Sequence, residues 1–205
     1  MTGIKGNLSK IIERGLNLWI KSKCNRIEEL SIDINSSNSS ILKGKISNMH
    51  IKGKNINFQE IVINILEIRV NHIKIKFDSF LKINLKSPFK IYISVKLSGD
   101  CLKETLLSNR WEYISNLICK EFFEMANIQD LKVNDSILEI KASNHSNQIS
   151  NKKILTISEK SNSLMLTERT SPNSLVLPMD ESIKISKAYI KKGLIVIHGE
   201  AIINP

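Results

Sequence analysis

The chain has little of what builds disulfide frameworks or membrane spans. Its 205 residues include only three cysteines, and none belongs to a CxxC pair. Cysteines in this arrangement are typical of buried thiols in a reducing compartment. No window approaches the roughly 18 uncharged apolar residues that indicate a membrane-spanning helix, so we expect none. Because charged side chains interrupt the first helix-like segment, we expect no signal peptide and a cytoplasmic location, with peripheral attachment to a membrane as an option.

Motifs for catalysis and metal binding are missing as well. No GxSxG, HExxH, Walker A or GxGxxG motif occurs, and no spacing of acidic residues points to general acid–base work. The histidines are scattered, without the spacing of a metal site: His50, His72, His145 and His198. We therefore expect a protein that is not an enzyme and that has no catalytic residues, no metal site and no cofactor.

Arginine and aromatic residues are scarce, although the chain is basic. Lys and Arg number 30 against 20 Asp and Glu, which gives a formal net charge of +10. Eleven basic residues but only three acids lie between residues 41 and 97. Such an excess indicates an anionic partner or serves solubility. Nucleic acid is not expected, because base reading and base stacking need arginine and aromatic rings, and aromatics make up only 5% of the chain.

An amphipathic helix followed by strands is predicted for the first half of the chain. Residues 7–29 place Leu8, Ile12 and Leu16 on one apolar face. Two interpretations of this helix stay open: it packs on its own sheet, or its basic residues and Trp19 lie on an anionic membrane. Over residues 30–97 the apolar period changes to two and the connections are short, which predicts antiparallel strands.

One long central helix is predicted over residues 99–126. Its apolar stripe is too wide for a helix on one flat surface, so we expect sheet on more than one side. Residues 128–205 predict further strands with polar loops, including solvated hairpin tips within 159–178. We therefore expect a single α+β domain over residues 1–205. The stripe follows a spacing of three and four residues: Trp111, Ile114, Ile118, Phe122 and Met125.

Three blocks of sequence carry a resemblance to a known family. They are LWIKSKCNRIEELSIDINSSNSSILKGKISNMHIKGKNINFQEI at 18–61, SPFKIYISVKLSGDCLKETLLSNRW at 87–111 and KAYIKKGLIVIHGEAIINP at 187–205. The family shows a helix with an LW pair, a strand and a glycine turn in the first block. A strand that runs into a helix start forms its second block, and a closing hairpin with glycines its third. In the order and spacing of these blocks the chain resembles the LmeA-like bacterial phospholipid-binding proteins, especially their cyanobacterial forms.

The resemblance implies a tubular lipid-binding architecture. In it a strongly curved antiparallel sheet, a half-barrel, wraps around a long helix and leaves an apolar groove between the two. The implied partner is a phospholipid or another acyl lipid. The chain departs from the family at Lys103, where an asparagine is usual. The expected lack of an export signal would be a second departure, since studied members are secreted.

Two hypotheses about function follow. In the first, the protein is a non-enzymatic phospholipid-binding protein that holds acyl chains in the groove and serves lipid transfer or membrane homeostasis. In the second, it is an adaptor or structural module with a filled core, whose basic face binds a protein or an anionic membrane surface. The candidate groove residues are Ile63, Ile65, Ile91, Ile93, Val95, Leu106, Trp111, Ile114, Ile118 and Phe122. The candidates for membrane or headgroup contact are Lys10, Arg14, Trp19, Lys21, Lys74 and Lys76.

Overall fold

The computed structural model describes residues 7–79, 82–124, 126–144 and 147–205. The helices are α1 (Asn7–Lys23), α2 (Asn38–Leu42), α3 (Gly99–Leu106) and α4 (Glu112–Phe123), with a 3₁₀ turn at Asn109–Trp111. The strands of the first half are β1 (Arg26–Asn35), β2 (Lys45–Phe58), β3 (Ile61–Ser79), β4 (Lys82–Leu85) and β5 (Phe89–Leu97). Those of the second half are β6 (Asn127–Asn134), β7 (Ile137–Asn144), β8 (Asn147–Lys160), β9 (Ser163–Glu168), β10 (Ser174–Val176), β11 (Ile183–Lys191) and β12 (Leu194–Ile203).

The strands form two antiparallel sheets. Sheet one has the order β1-β2-β3-β5-β12-β11, with β4 beside β3, and sheet two has the order β10-β9-β8-β7-β6. The prediction of an α+β chain with antiparallel strands is confirmed. The prediction of a single sheet around one helix is not confirmed, because β6 to β10 pair with each other as consecutive hairpins and form a second sheet. The final hairpin then returns to sheet one, where β12 pairs with β5.

Helix α1 covers one end of sheet one. Leu8, Ile12 and Leu16 pack against a buried cluster that includes Ile34 and Val70. The helix ends at Lys23, earlier than the predicted 7–29, because the chain from Arg26 onward pairs with β2 instead. This packing is the first of the two interpretations that the sequence left open for α1, and it leaves the opposite side of the helix exposed.

The predicted central helix is two helices. Ser108 interrupts it, since both its backbone N–H and its hydroxyl donate to the carbonyl oxygen of Thr105, at 3.1 Å and 2.7 Å. A continuing helix would satisfy that carbonyl from Asn109, so the local bonds of Ser108 compete with helix propagation. Helix α4 then ends at Phe123, and the left-handed backbone of the next residue, Glu124 (φ 52°), closes the last turn. Of the predicted stripe, Met125 lies outside the described residues.

A second core joins α3 and α4 to sheet two. Its largest buried side chains on the helix side are Ile118, Phe122 and Phe123, and they meet Leu138 and Leu155 from the strands. Helix α3 is tied to β3 by the hydroxyl of Thr105 and to β6 by an ion pair of Lys103, described below. Among the described residues, no helix has the length and apolar character needed to cross a bilayer.

Sheet one therefore has a covered face and an open face. On β5 and β12, the buried pair Leu97 and Ile195 faces the helices. The adjacent pair, Lys96 and Val196, points the other way because successive side chains of a strand alternate. The covered face carries the two cores, and the open face faces away from the helices of the described residues.

Candidate functional site

An apolar cavity lies where the covered face of sheet one, the helices α3 and α4, and sheet two meet. Its volume is about 190 Å³. Sheet one contributes Leu97, Ile195 and Ile197, and the helices contribute Leu106 and Ile118 among others. Because Ile118 and Ile195 are each only 2% exposed, the inner end of the cavity is shielded from water.

The two polar side chains in the cavity wall are both bonded to the protein. The hydroxyl of Thr105 accepts a hydrogen bond from the backbone N–H of Val62 at 2.9 Å and donates to the carbonyl of Cys101 at 2.9 Å. The indole Nε1 of Trp111 donates to the carbonyl of Gln59 at 3.1 Å. The remaining lining residues carry only apolar side chains. A cavity of this kind favours hydrocarbon over water, because a water molecule needs two to four polar partners.

One side of the cavity approaches the surface. Leu102, Leu164, Leu177 and Met179 are half-buried lining residues, and Pro178 beside them is exposed. The segment after β10 therefore forms the outer rim of the cavity. Leu164, Leu177 and Pro178 of this rim lie within residues 159–178, for which the sequence predicted solvated hairpin tips. That prediction was wrong for Leu166, which is 4% exposed and lines the cavity.

The predicted groove residues do not all meet at this cavity. Leu106, Trp111, Ile114 and Ile118 line it, and Phe122 is buried in the same core without reaching the cavity. The strand residues separate from them. Ile91 packs in the cluster under α1, and Ile63 and Val95 are half-buried and line neither cavity. Ile65 lines a second cavity on the open face. Ile93 borders that cavity too, but it lies opposite Ile68, so its side chain alternates to the covered face.

The sequence analysis missed the contribution of the C-terminal half. Alternation at 164–166 and 195–197 was visible, but the partners of those strands were not, so nothing pointed to a shared wall. The missed lining residues from that half are Leu138, Ile157, Leu164, Leu166, Leu177, Pro178, Met179, Ile195 and Ile197.

The outward side of α1 combines exposed apolar and basic side chains. We call it the α1 outer face, and it consists of Lys10, Ile11, Arg14, Leu18, Trp19 and Lys21. Leu18 is 71% exposed, Ile11 60% and Trp19 59%. The one acid of the helix, Glu13, is turned to the sheet, where Oε1 accepts the backbone N–H of Ile34 at 2.8 Å. The face therefore has apolar surface and positive charge with no acid of α1 beside it.

The other two predicted headgroup residues lie elsewhere. Lys74 and Lys76 are exposed on β3 and alternate with the buried Ile73 and Ile75, which pack in the cluster under α1. Alternation turns the two lysines away from the side of the sheet that α1 covers. The structure thus groups Lys10, Arg14, Trp19 and Lys21 on one surface and separates Lys74 and Lys76 from them.

Lys103, the position at which the sequence departs from the LmeA-like pattern, has a structural partner. Its Nζ lies 2.8 Å from Oδ1 of Asp130 and links α3 to β6. The hydrogen bond from Lys103 holds the pKa of Asp130 below its usual range. Burial raises the pKa of the Cys119 thiol in the neighbouring core, so this thiol stays protonated at neutral pH.

The described part of the chain contains no group of three or more His, Cys, Asp or Glu residues that could hold a metal ion. His145 lies outside that part. Comparisons with protein families, with curated proteins and with solved structures give no match. The resemblance to LmeA-like proteins therefore stays a prediction from the sequence.

Proposed function

We propose that this protein binds the acyl chain of a phospholipid or another acyl lipid in the apolar cavity, without catalysing a reaction. The observation that carries the proposal is a cavity of about 190 Å³ whose polar side chains, Thr105 and Trp111, are already bonded to the protein. Such a wall offers no compensation to a charged or strongly polar ligand. It suits a saturated or unsaturated hydrocarbon chain.

The size of the cavity limits how much of a lipid it holds. A cavity of about 150 Å³ in another protein stays dry and binds benzene, so this one has room for the end of one acyl chain. Each buried methylene gains about 0.8 kcal/mol, so six of them contribute about 5 kcal/mol. The rest of the lipid would stay outside the rim formed around Leu177 and Met179.

The α1 outer face supports an anionic membrane as the source of the lipid. Each lysine or arginine close to an anionic bilayer contributes about 1 kcal/mol, and Lys10, Arg14 and Lys21 are all exposed. Trp19 and Leu18 supply apolar surface that can enter the boundary between headgroups and acyl chains. We propose that this face holds the protein reversibly on an anionic membrane.

A second candidate is the adaptor, in which no lipid enters. The cavity volume favours it, because pockets for drug-sized ligands begin at about 300 Å³ and this one measures about 190 Å³. An adaptor would use its charged surfaces alone, and the cavity would be a packing defect between the two sheets.

Native mass spectrometry separates the two candidates. The purified protein is measured before and after incubation with vesicles of phosphatidylglycerol, and any bound molecule is identified after solvent extraction. Lipid binding predicts a stoichiometric acyl lipid that is released on denaturation. An unchanged apo mass after incubation supports the adaptor and overturns the acyl-binding proposal.

A pair of variants assigns bound lipid to the cavity. Leu164→Trp places a larger ring at the half-buried rim and should reduce lipid occupancy at least fivefold. Ile137→Trp is the matched control, since Ile137 is also half-buried in sheet two but does not line the cavity. Equal lipid occupancy in Leu164→Trp and in the parent, with both variants folded by circular dichroism, would place the lipid elsewhere.

A further inference from the structure

The open face of sheet one holds a second cavity of about 650 Å³. We call it the open-face basin. It lies over β3, β5, β12 and β11, on the opposite side of the sheet from the apolar cavity. Its volume falls within the range of about 300–1,000 Å³ that small-molecule sites occupy. The acyl-binding proposal makes no use of it.

Cross-strand pairing brings the basin residues together. One row across four strands is Ile65, Lys96, Val196 and Tyr189, each directly opposite the next. The neighbouring row on the same face is Glu67, Ser94 and His198. Directly opposite residues of antiparallel strands lie about 5 Å apart at Cβ. The basin is therefore built on rigid strands, and its chemistry is set by register.

The charges in the basin do not balance. Arg69 lies 3.6 Å from Glu67, and that acid also faces Lys52 at 4.0 Å, so Glu67 is already shared between cations. The three lysines of the lining, Lys96, Lys191 and Lys192, make no ion pair within the described residues. Lys96 is half-buried on a central strand between Ile65 and Val196, which cannot neutralise it. A concave surface with unpaired positive charge attracts anions.

One wall of the basin is aromatic. The rings of Tyr189 and His198 lie 6.2 Å apart with an angle of 33° between their planes. The side chain of Tyr92 is 46% exposed on the same face. Such rings provide a surface for the flat or apolar body of a ligand, while the lysines hold its charged end. Lysine is a common ligand of phosphate groups, as a point charge with three donors.

We propose that the open-face basin binds a phosphate group, with Lys96, Lys191 and Lys192 as its cationic partners and Tyr189 and His198 in contact with the body of the ligand. The phosphate belongs either to a free phosphorylated small molecule or to a lipid headgroup, since both offer the same dianionic or monoanionic oxygens. The site is independent of the apolar cavity, so it stands or falls separately from acyl binding.

Isothermal titration calorimetry tests the free-ligand form. Adenosine monophosphate, inorganic phosphate and adenosine are titrated into the full chain at low salt. We expect adenosine monophosphate to bind at least fivefold more tightly than inorganic phosphate, and adenosine to bind at least tenfold more weakly than adenosine monophosphate. Raising the salt concentration from 50 to 300 mM should weaken binding of the two phosphate probes, because the contact is ionic.

Two lysine variants locate the site. Lys96→Ala should weaken binding at least tenfold, with an unchanged urea midpoint because the side chain makes no ion pair with a described residue. Lys54→Ala is the matched control on the same open face, since Lys54 is paired with Glu29 at 2.7 Å and does not line the basin. Its affinity should stay within twofold of the parent.

Vesicle flotation tests the headgroup form with vesicles that contain phosphatidic acid, and every protein compared carries Leu18→Asp so that the α1 outer face does not itself hold it on the vesicle. Flotation that Lys96→Ala abolishes and Lys54→Ala preserves, without calorimetric binding of adenosine monophosphate, supports the phosphate site and assigns it to a lipid headgroup. The proposal is overturned if neither probe binds, or if Lys96→Ala binds both as well as the parent does.

Discussion

Lys153 Nζ lies 2.8 Å from Oε1 of Glu168, whose side chain is only 2% exposed. The same carboxylate accepts hydrogen bonds from the hydroxyls of Ser171, at 2.6 Å, and Thr170, at 3.3 Å. The hydrogen bond from Lys153, followed by that from Ser171, holds the pKa of Glu168 below its usual range. A buried carboxylate is tolerated here because each neighbour donates to its charged form.

This cluster predicts how stability depends on pH. Because the pKa of Glu168 is lower in the folded than in the unfolded protein, its contribution is fully present above the unfolded value of about 4.3 and is lost as the pH falls below it. Glu168→Gln should cost about 1–3 kcal/mol at pH 7, as expected when a hydrogen bond to a charged group is lost. The free energy of unfolding of the Glu168→Gln variant should also fall less steeply than that of the parent between pH 5 and pH 3.

Urea unfolding at a series of pH values measures both effects. Glu29→Gln is the control, because Glu29 forms an exposed pair with Lys54 and should change stability by less than about 1 kcal/mol. If Glu168→Gln and the parent lose stability equally between pH 5 and pH 3, the carboxylate does not have the lowered pKa that its contacts imply.

The hydrogen bond to the hydroxyl of Thr105 predicts a second destabilising substitution. Thr105→Val keeps the shape of the side chain but removes the acceptor for the backbone N–H of Val62 in a buried setting. Loss of that partner should destabilise the fold by about 1–3 kcal/mol. Thr105→Ser keeps the hydroxyl and should recover most of this loss in urea unfolding. A valine variant as stable as the parent would contradict a contribution of this hydrogen bond to the free energy of unfolding.

Two glycines predict opposite effects of the same substitution. Gly44 has a φ of +71°, and a methyl group there would collide with the carbonyl oxygen of Ile75. Gly44→Ala should therefore destabilise the fold by more than the roughly 1 kcal/mol of backbone strain alone. Gly15 lies on α1, and beyond the chain next to it no atom of the described residues lies within 4 Å of an added methyl, so Gly15→Ala should stabilise the protein by about 0.5–1 kcal/mol. Thermal unfolding of the two variants measures both signs, and a neutral Gly44→Ala would contradict the geometry.

Periodicity alone predicted much of the fold. The spacing of Leu8, Ile12 and Leu16 identified the side of α1 that packs, and the alternation from Ile91 to Leu97 identified a strand that lies within sheet one. Both signals are local, since a residue that is three or four positions along a helix, or two along a strand, lies on the same side.

The predictions that failed depend on contacts between residues distant in sequence or on a few local features of the backbone and its hydrogen bonds. One helix was predicted over residues 99–126, and the bonds of Ser108 to Thr105 divide it. On β3, Val70 and Ile73 are both buried under α1, because the positive φ of His72 (56°) breaks the alternation between them. A period of two also does not say which face of a sheet the helices cover. Ile65 and Ile118 were therefore placed in one groove, but Ile118 of α4 lies on the covered side of sheet one and Ile65 faces the open side.

The α1 outer face predicts binding to anionic membranes, and one negative charge placed on this face should weaken that binding. Leu18→Asp should reduce flotation with phosphatidylglycerol vesicles at least fivefold, because it places a carboxylate at the centre of the apolar surface that would enter the bilayer. The fold should stay intact, since Leu18 is 71% exposed. Ile202→Asp is the matched control, because Ile202 is 49% exposed on β12, away from α1, and the change in net charge is the same. Equal loss of flotation in the two variants would mean that overall charge, and not the α1 outer face, brings the protein to the membrane.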